Sequence, residues 1–281
     1  MGALDGKVAL VTGGSRSIGR GCALELGAAG ATVYLTGRSA TEADNPLPGT
    51  VAATAAEVID AGGDAVGLLC DHRDDDAVAA VFDRIASDHG RLDILVNNAF
   101  IVTPDLTSGK PFWEVPLSDW DDMIDVGTRS AYVASALAAK QFMVPAGSGV
   151  IVNISSSGAA EYAWHVVYGV GKCALDRITK DTARELGPHG VTVASLWPGF
   201  VKNERIELAE RAGMLPASLD TSTAESFRFT GRAAAHLAAD PDVARWTGQA
   251  LTSRDLADVY AFTDLDGSLP DGPLHNRGTA D

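Results

Sequence analysis

The chain has 281 residues, enough to bury a core without disulfides or metals. Its 46% apolar and 21% charged residues are those of a folded globular protein. With 22 Lys and Arg against 37 Asp and Glu the formal charge is −15, which speaks against nucleic acid as a partner and against an anionic membrane surface.

Strand and helix alternate along the chain. Residues 7–12 (KVALVT) are an apolar run ending in glycines, the mark of a buried strand. A helix is expected over 18–29, ended by Gly30, and a second strand over 32–36. A helix over 50–61 closes on Gly62 and Gly63. A third strand over 66–70, a helix over 74–89 and a fourth strand over 92–96 follow. A long helix over 119–144 is expected to stop at Pro145. Strands over 149–154 and 191–196 enclose a helix over 167–186, stopped by Gly187 and Pro188. The strands lack polar alternation, so both faces of the sheet are covered. Repeated strand–helix units imply a doubly wound α/β fold, a parallel sheet of about seven strands with helices on both faces. One domain is expected over 1–265, including a small lid at about 200–230, followed by a loosely held tail over 266–281. Two long loops, 38–49 and 100–118, are marked as functional by their length.

Cys22, Cys70 and Cys173 form no CxxC pair, so neither a zinc ribbon nor a disulfide framework is expected, and no other metal-ligand cluster stands out. Thiols without partners suit a reducing, cytoplasmic compartment. The chain opens without a signal-peptide pattern, and no run of about 18 apolar residues suggests a membrane span.

The first strand runs into Thr12-Gly13-Gly14-Ser15-Arg16-Ser17-Ile18-Gly19. Glycine permits a tight turn and close approach of a pyrophosphate, and the following helix N-terminus offers free N–H groups and a positive dipole end. Gly13, Ser15, Arg16, Ser17, Ile18 and Gly19 are therefore candidate cofactor-binding residues, because the turn sits between a strand and a helix as such a motif must.

This turn resembles the TGxxxGxG fingerprint of the short-chain dehydrogenase/reductase family, and further features fall in family order. Asp71 follows the third strand, Asn97-Asn98-Ala99 ends the fourth, and Ser155-Ser156 ends the fifth. Tyr168 and Lys172 open the next helix, and Pro198-Gly199 ends the sixth strand. Stretches such as WDDMIDVG at 120–127 and SRDLA at 253–257 resemble a narrower branch of the family. Four positions depart from the pattern. Ser17 and Phe100 stand where the family has glycine, Gly127 where it has a tetrad asparagine, and Asn203 where it often has threonine.

Tyr168 and Lys172 are four residues apart and share a helix face. A nearby ammonium is expected to lower the phenol pKa, so that Tyr168 passes a proton to or from a substrate oxygen. A serine at the preceding strand end would hold that oxygen. Strand register places this on Ser156, and the more usual serine-to-tyrosine spacing places it on Ser155; the register is followed. The resemblance implies that Lys172 also contacts the nicotinamide ribose. It further implies that Asp71 and Asn97 with Ala99 flank the adenosine, and that Pro198, Gly199 and Val201 flank the nicotinamide. Gly37 replaces the acidic residue that would favour NAD(H), and Arg38 and Arg16 suit a 2′-phosphate, so NADP(H) is favoured over NAD(H). Phe100, Trp164 and Phe200 are candidates for an apolar substrate pocket. The expected function is hydride transfer between nicotinamide and a small-molecule carbonyl or alcohol in a homodimer or homotetramer. The alternative is a dinucleotide-binding regulator without turnover.

Overall fold

The computed structural model describes residues 2–215 and 221–273. The first half contains β1 (Val8–Val11), α1 (Ser17–Ala28), β2 (Thr32–Gly37), α2 (Val51–Asp60), β3 (Asp64–Leu69), α3 (Asp75–His89) and β4 (Ile94–Asn97). A helical rod follows, made of α4 (Ser118–Ile124), α5 (Ser130–Ala138) and α6 (Val144–Ala146), which π turns at Asp125–Arg129 and Ala139–Met143 join together. Then come β5 (Gly149–Ile154), α7 (Val166–Leu186) and β6 (Val191–Trp197). The last part holds β7 (Val201–Lys202), α8 (Glu204–Arg211), β8 (Glu225–Ser226), α9 (Phe227–Ala239), β9 (Ala250–Thr252) and α10 (Ser253–Tyr260).

Seven strands pair in parallel in the order β3-β2-β1-β4-β5-β6-β9, and β7 and β8 form a separate ribbon. The chain moves outward from β1 through β2 and β3, then returns to β4 on the other side of β1. This reversal opens a crevice at the carboxyl ends of β1 and β4, where such sheets bind ligands. Both faces are dry. Val11, Val33, Val96 and Val152 pack against α1, α2 and α9, whereas Leu10, Leu95, Ile151 and Val193 pack against α3, α5 and α7. The near-continuous apolar character of the strands follows from this double coverage.

The expected elements are present with end shifts of one or two residues, and the expected single-domain, doubly wound sheet is the one observed. One expectation about the fold needs correction. Pro145 lies inside the last turn of the long rod, and Gly147, at φ +66°, ends it instead. Phe229 and Thr230, at the end of the stretch expected as a lid, are fully buried in α9, which packs on α1. The early part of the C-terminal tail is held: Pro270 and Gly272 are buried, and the Ser268 carbonyl oxygen accepts from Asp264 N at 2.9 Å. The rest of the tail, 274–281, and residues 216–220 of the expected lid lie outside the described residues.

The α1–α9 crossing is the tightest helix contact, and glycine permits it. A Cβ on Gly21 would lie 2.0 Å from the Phe227 carbonyl oxygen, and one on Gly231 would lie 2.4 Å from that of Gly21. Backbone atoms cannot yield cheaply to such overlap. Gly231→Ala is therefore expected to cost about 1–3 kcal/mol of stability, which urea unfolding measures.

Candidate active site

The glycine-rich turn is clamped from two sides. Asn98 Nδ2 donates to the carbonyl oxygens of Thr12 at 3.0 Å and Gly13 at 2.9 Å. Thr12 Oγ1 accepts from the backbone N–H groups of Asn98 at 2.9 Å and Ala99 at 3.1 Å. On the other side Gly14 N donates to the Thr36 carbonyl oxygen at 2.7 Å. Gly13 has φ +67°, and a Cβ there would lie 2.8 Å from Ala99 Cα. Ser17, the first residue of α1, also has a left-handed φ of +49°, the conformation that glycine adopts without penalty. Gly19 packs so closely that a Cβ would reach 2.2 Å from the Gly13 carbonyl oxygen. Ser15 is buried and Ile18 half-buried. The Ser17 N–H is held by a carboxylate from α8, Glu204 Oε1, at 3.0 Å, with Arg20 Nη1 3.7 Å from the same oxygen.

At the far end of the crevice Arg16 Nη2 donates to Ser39 Oγ at 2.9 Å and to the Gly49 carbonyl oxygen at 2.7 Å, and its Nε donates to that of Pro48. This guanidinium braces the loop after β2. Arg38 is half-exposed and stands 3.9 Å from Asp71 Oδ2. Gly37 is buried against Ser15 and Val51, and a Cβ there would lie 3.0 Å from Val51 Cγ1 and 3.3 Å from Ser15 Oγ. Asn97 points into the interior, where its Nδ2 donates to Asn153 Oδ1 at 2.8 Å and Ser135 Oγ at 3.0 Å. The contact with the glycine-rich turn belongs to Asn98, which the family pattern NNA contains but which was not singled out from sequence.

The two competing serines separate cleanly. Ser155 is buried and its Oγ donates to the Lys172 carbonyl oxygen at 3.3 Å. Ser156 is half-buried on the Tyr168 side, where a Cβ on Gly158 would lie 3.1 Å from its Oγ. Its Oγ accepts from Gly158 N at 3.1 Å. Gly158 leaves room for the phenol ring, since a Cβ would lie 2.7 Å from Tyr168 Cε1. Lys172, one turn after Tyr168 on α7, is buried and its Nζ donates to the Ile154 carbonyl oxygen at 2.9 Å. Ser156, Tyr168 and Lys172 thus converge at the end of β5. The expected direction of the tyrosine shift is reversed. Burial raises the Tyr168 phenol above its ordinary value, outweighing the lowering effect of the Ser156 hydroxyl, and the same burial lowers the Lys172 ammonium to about 8. Desolvation disfavours both charged forms and exceeds what one neighbour returns.

The aromatic candidates fall into different places. Phe100 lies against Tyr168, ring centroids 5.8 Å apart. Trp164 is half-exposed and carries a left-handed φ of +61°. Phe200 is half-buried, and its carbonyl oxygen accepts from Glu225 N at 2.8 Å. Trp197 Nε1 donates to Asp176 Oδ2 at 3.1 Å, and His165 caps α7, its Nδ1 accepting from Val167 N at 3.2 Å. Pro198 and Val201 are buried, and Gly199 N donates to Glu225 Oε2 at 2.9 Å. Glu225 also accepts from Ser253 Oγ at 2.8 Å and from Thr230 Oγ1. This fully buried carboxylate ties the loop after β6 to α9 and α10. No local sequence pattern marks it. Among the described residues, no group of His, Cys, Asp and Glu is arranged to hold a metal ion, and no helix is long and apolar enough to cross a membrane.

The sheet order and the crevice at its reversal define a Rossmann-type α/β protein. The chain belongs to the short-chain dehydrogenase/reductase family: the family model for short chain dehydrogenases matches residues 7–211. It is 42% identical over 274 residues to dehydrogenase/reductase SDR family member 1 of Mus musculus, covering 94% of this chain and 85% of the mouse protein. The Homo sapiens counterpart is 41% identical over the same shares. A short-chain dehydrogenase/reductase from Serratia marcescens superposes with a TM-score of 0.73 at 33% identity, covering 89% of this chain and 97% of that one. A metagenomic short-chain oxidoreductase in complex with NADP gives 0.70 at 31% identity over the same shares.

The buried Glu225 carboxyl yields a pH prediction. Burial pushes it up from 4.5 to about 7, so over that interval the folded chain binds a proton the unfolded chain has released. Its contribution to stability is present below about pH 4.5 and is lost as pH rises to about 7. Stability measured by urea unfolding from pH 4.5 to 7.5 is expected to decline more steeply in the wild type than in Glu225→Gln.

Proposed function

We propose that the protein is an NADP(H)-dependent oxidoreductase that interconverts a small-molecule carbonyl and its alcohol, with Tyr168 as the acid–base. The convergence of Ser156, Tyr168 and Lys172 beside the crevice carries this reading. The residues present fit a dinucleotide. The turn at Gly13 admits no side chain, and a carboxylate, that of Glu204, already sits on the N–H of Ser17 at the start of α1. A helix N-terminus that holds one anion suits another, the pyrophosphate.

Gly13, Ser15, Arg16, Ser17, Ile18 and Gly19 would hold the pyrophosphate, and Asp71, Asn97 and Ala99 would flank the adenosine. Asn97 does so through its backbone, because its side chain is engaged inside. Arg38 would grip the 2′-phosphate, with Arg16 bracing the loop beneath it. The absence of an acid at Gly37 and the NADP complex of a family relative support this preference. Lys172 would bond the nicotinamide ribose, and Pro198, Gly199 and Val201 would border the ring. When bound, the nicotinamide supplies the hydride for the carbonyl carbon, or accepts it from the alcohol.

In the reducing direction Ser156 donates a hydrogen bond to the substrate oxygen and fixes it beside the phenol. Tyr168 gives its proton to that oxygen, and Lys172 stabilises the phenolate left behind. Burial keeps the phenol protonated but makes it a weaker acid, so the charge on Lys172, at about 8 still mostly present at neutral pH, is what would draw the proton off. Phe200 and Trp164 would border the substrate. The exposed apolar side chains of Trp120, Tyr132 and Val170 on the rod and α7 support a subunit contact there. The three free thiols suit a cytoplasmic setting.

The test is a panel of carbonyls with NADPH and NADH, followed by loss of reduced-nicotinamide absorbance. Tyr168→Phe is expected to lower kcat by about 10²–10⁴-fold while NADPH affinity stays close to wild type. Arg38→Asp is expected to reverse the preference toward NADH. Dinucleotide binding without turnover of any carbonyl or alcohol would overturn the reading in favour of a binding protein.

A further inference from the structure

Phe100 follows β4 and Gly127 lies in the π turn after α4, yet the two residues share one space. A Cβ built on Gly127 would stand 2.7 Å from Phe100 Cδ2 and 3.1 Å from Cε2. Real carbon atoms do not approach so closely, so the Phe100 ring fills the volume that a side chain at 127 would need. On its other side the ring meets Tyr168 edge-on, with planes at 79°. Lys172 Nζ stands 4.9 Å from the Phe100 centroid and 5.8 Å from that of Tyr168.

An ammonium has three donors and is strongly hydrated in water. Lys172 is only 8% exposed, and its one protein acceptor among the described residues is the Ile154 carbonyl oxygen. An aromatic face within about 6 Å attracts a cation and replaces part of its hydration. The ring therefore does two things to Lys172: it excludes water and it offers a π face.

We propose that Phe100 is a positioning residue for the Tyr168–Lys172 pair, its ring standing in for solvent behind the ammonium, and that glycine at 127 exists to seat it. This rests on Tyr168 being the acid–base. The two departures from the family pattern are then one coupled exchange. The consequence is a catalytic pair closed to water on the side of the rod, with protons exchanging only through the substrate face.

The groups facing the pair are few. Asp176 on α7 is the charged neighbour that acts on Lys172, and it is held by Ser195 Oγ and Trp197 Nε1. Ser156 faces the phenol, Ser155 Oγ is bonded to the Lys172 carbonyl oxygen, and Thr128 Oγ1 from the rod is bonded to that of Gly171. None of the three neighbours carries a charge. Water admitted by loss of the ring would lower the phenol pKa and raise that of the ammonium, each toward its ordinary value.

The test compares Phe100→Gly, Phe100→Leu, Phe100→Tyr and Gly127→Ala, with Gly127→Ala also placed on the Phe100→Gly background. The readouts are the pH profile of kcat for carbonyl reduction, NADPH affinity by calorimetry, and thermal unfolding. Phe100→Gly is expected to move the alkaline limb of the profile, where the Lys172 ammonium at about 8 is lost before the phenol, up by about one pH unit and to lower kcat by about tenfold or more, with NADPH affinity changed by less than about threefold. Phe100→Tyr keeps the face and the wild-type limb; Phe100→Leu keeps apolar volume without the face, so its limb moves down instead. Gly127→Ala is expected to destabilise the wild type and to be nearly neutral on the Phe100→Gly background. A wild-type pH profile in Phe100→Leu would overturn the proposal, since the ring would then be filler. Additive effects of the two sites on unfolding would overturn the coupling. Activity that survives Tyr168→Phe is a separate failure, that of the acid–base assignment, and the unfolding cycle reads independently of it.

Discussion

The site depends on the seam between the ends of β1 and β4. There the Asn98 carboxamide bonds the carbonyl oxygens of Thr12 and Gly13, and the Thr12 hydroxyl accepts two backbone N–H groups in return. The seam closes so tightly that a Cβ on Gly13 would strike Ala99. Everything around the crevice takes its place from it. The turn aims the start of α1 outward, and β4 is released at Ala99 so that Phe100 crosses toward α7. The neutral His72, whose imidazole burial lowers to about 4, bonds the Thr36 hydroxyl and supports the turn from β2.

Water exclusion sets the electrostatics of the other half of the site. Burial moves Tyr168 up and Lys172 down, and thereby separates the phenol and the ammonium in proton affinity, with the ammonium the first to lose its proton. In the proposed reaction this favours a phenol that yields its proton only when the substrate oxygen demands it. Glu225 shows the same physics in a supporting role. Its buried carboxyl gathers Gly199 N, Ser253 and Thr230, linking the loop after β6 to two later helices. The contact of Gly199 with Gly272 brings the returning C-terminal segment against the same loop.

Much of the fold was legible because doubly covered strands read as apolar runs, and Gly149–Ile154 matches its expected range residue for residue. The seventh main-sheet strand, Ala250–Thr252, is three residues long and has no such run. The π turns were hidden because periodicity does not register a single widened turn. Gly147 rather than Pro145 ends the rod because proline is tolerated in the first turn of α6. In the site, the two serines just after β5 take different surroundings, Ser155 buried and bonded to the Lys172 carbonyl oxygen and Ser156 half-buried with its Oγ accepting from Gly158 N. The direction of the tyrosine shift was not legible, because spacing reveals a neighbour but not how deeply both groups are buried. Glu204 and Glu225 reach the site from segments distant in sequence, and no local pattern points to either.

The central claim is that this crevice carries a hydride to a carbonyl carbon. The most direct measurement uses NADPH labelled with deuterium at either face of nicotinamide C4, with the alcohol product analysed by mass spectrometry and NMR. The account predicts deuterium on the carbinol carbon from one labelled face and not the other. An alcohol formed without deuterium from either face would contradict it, as would consumption of NADPH with no reduced carbon in the product.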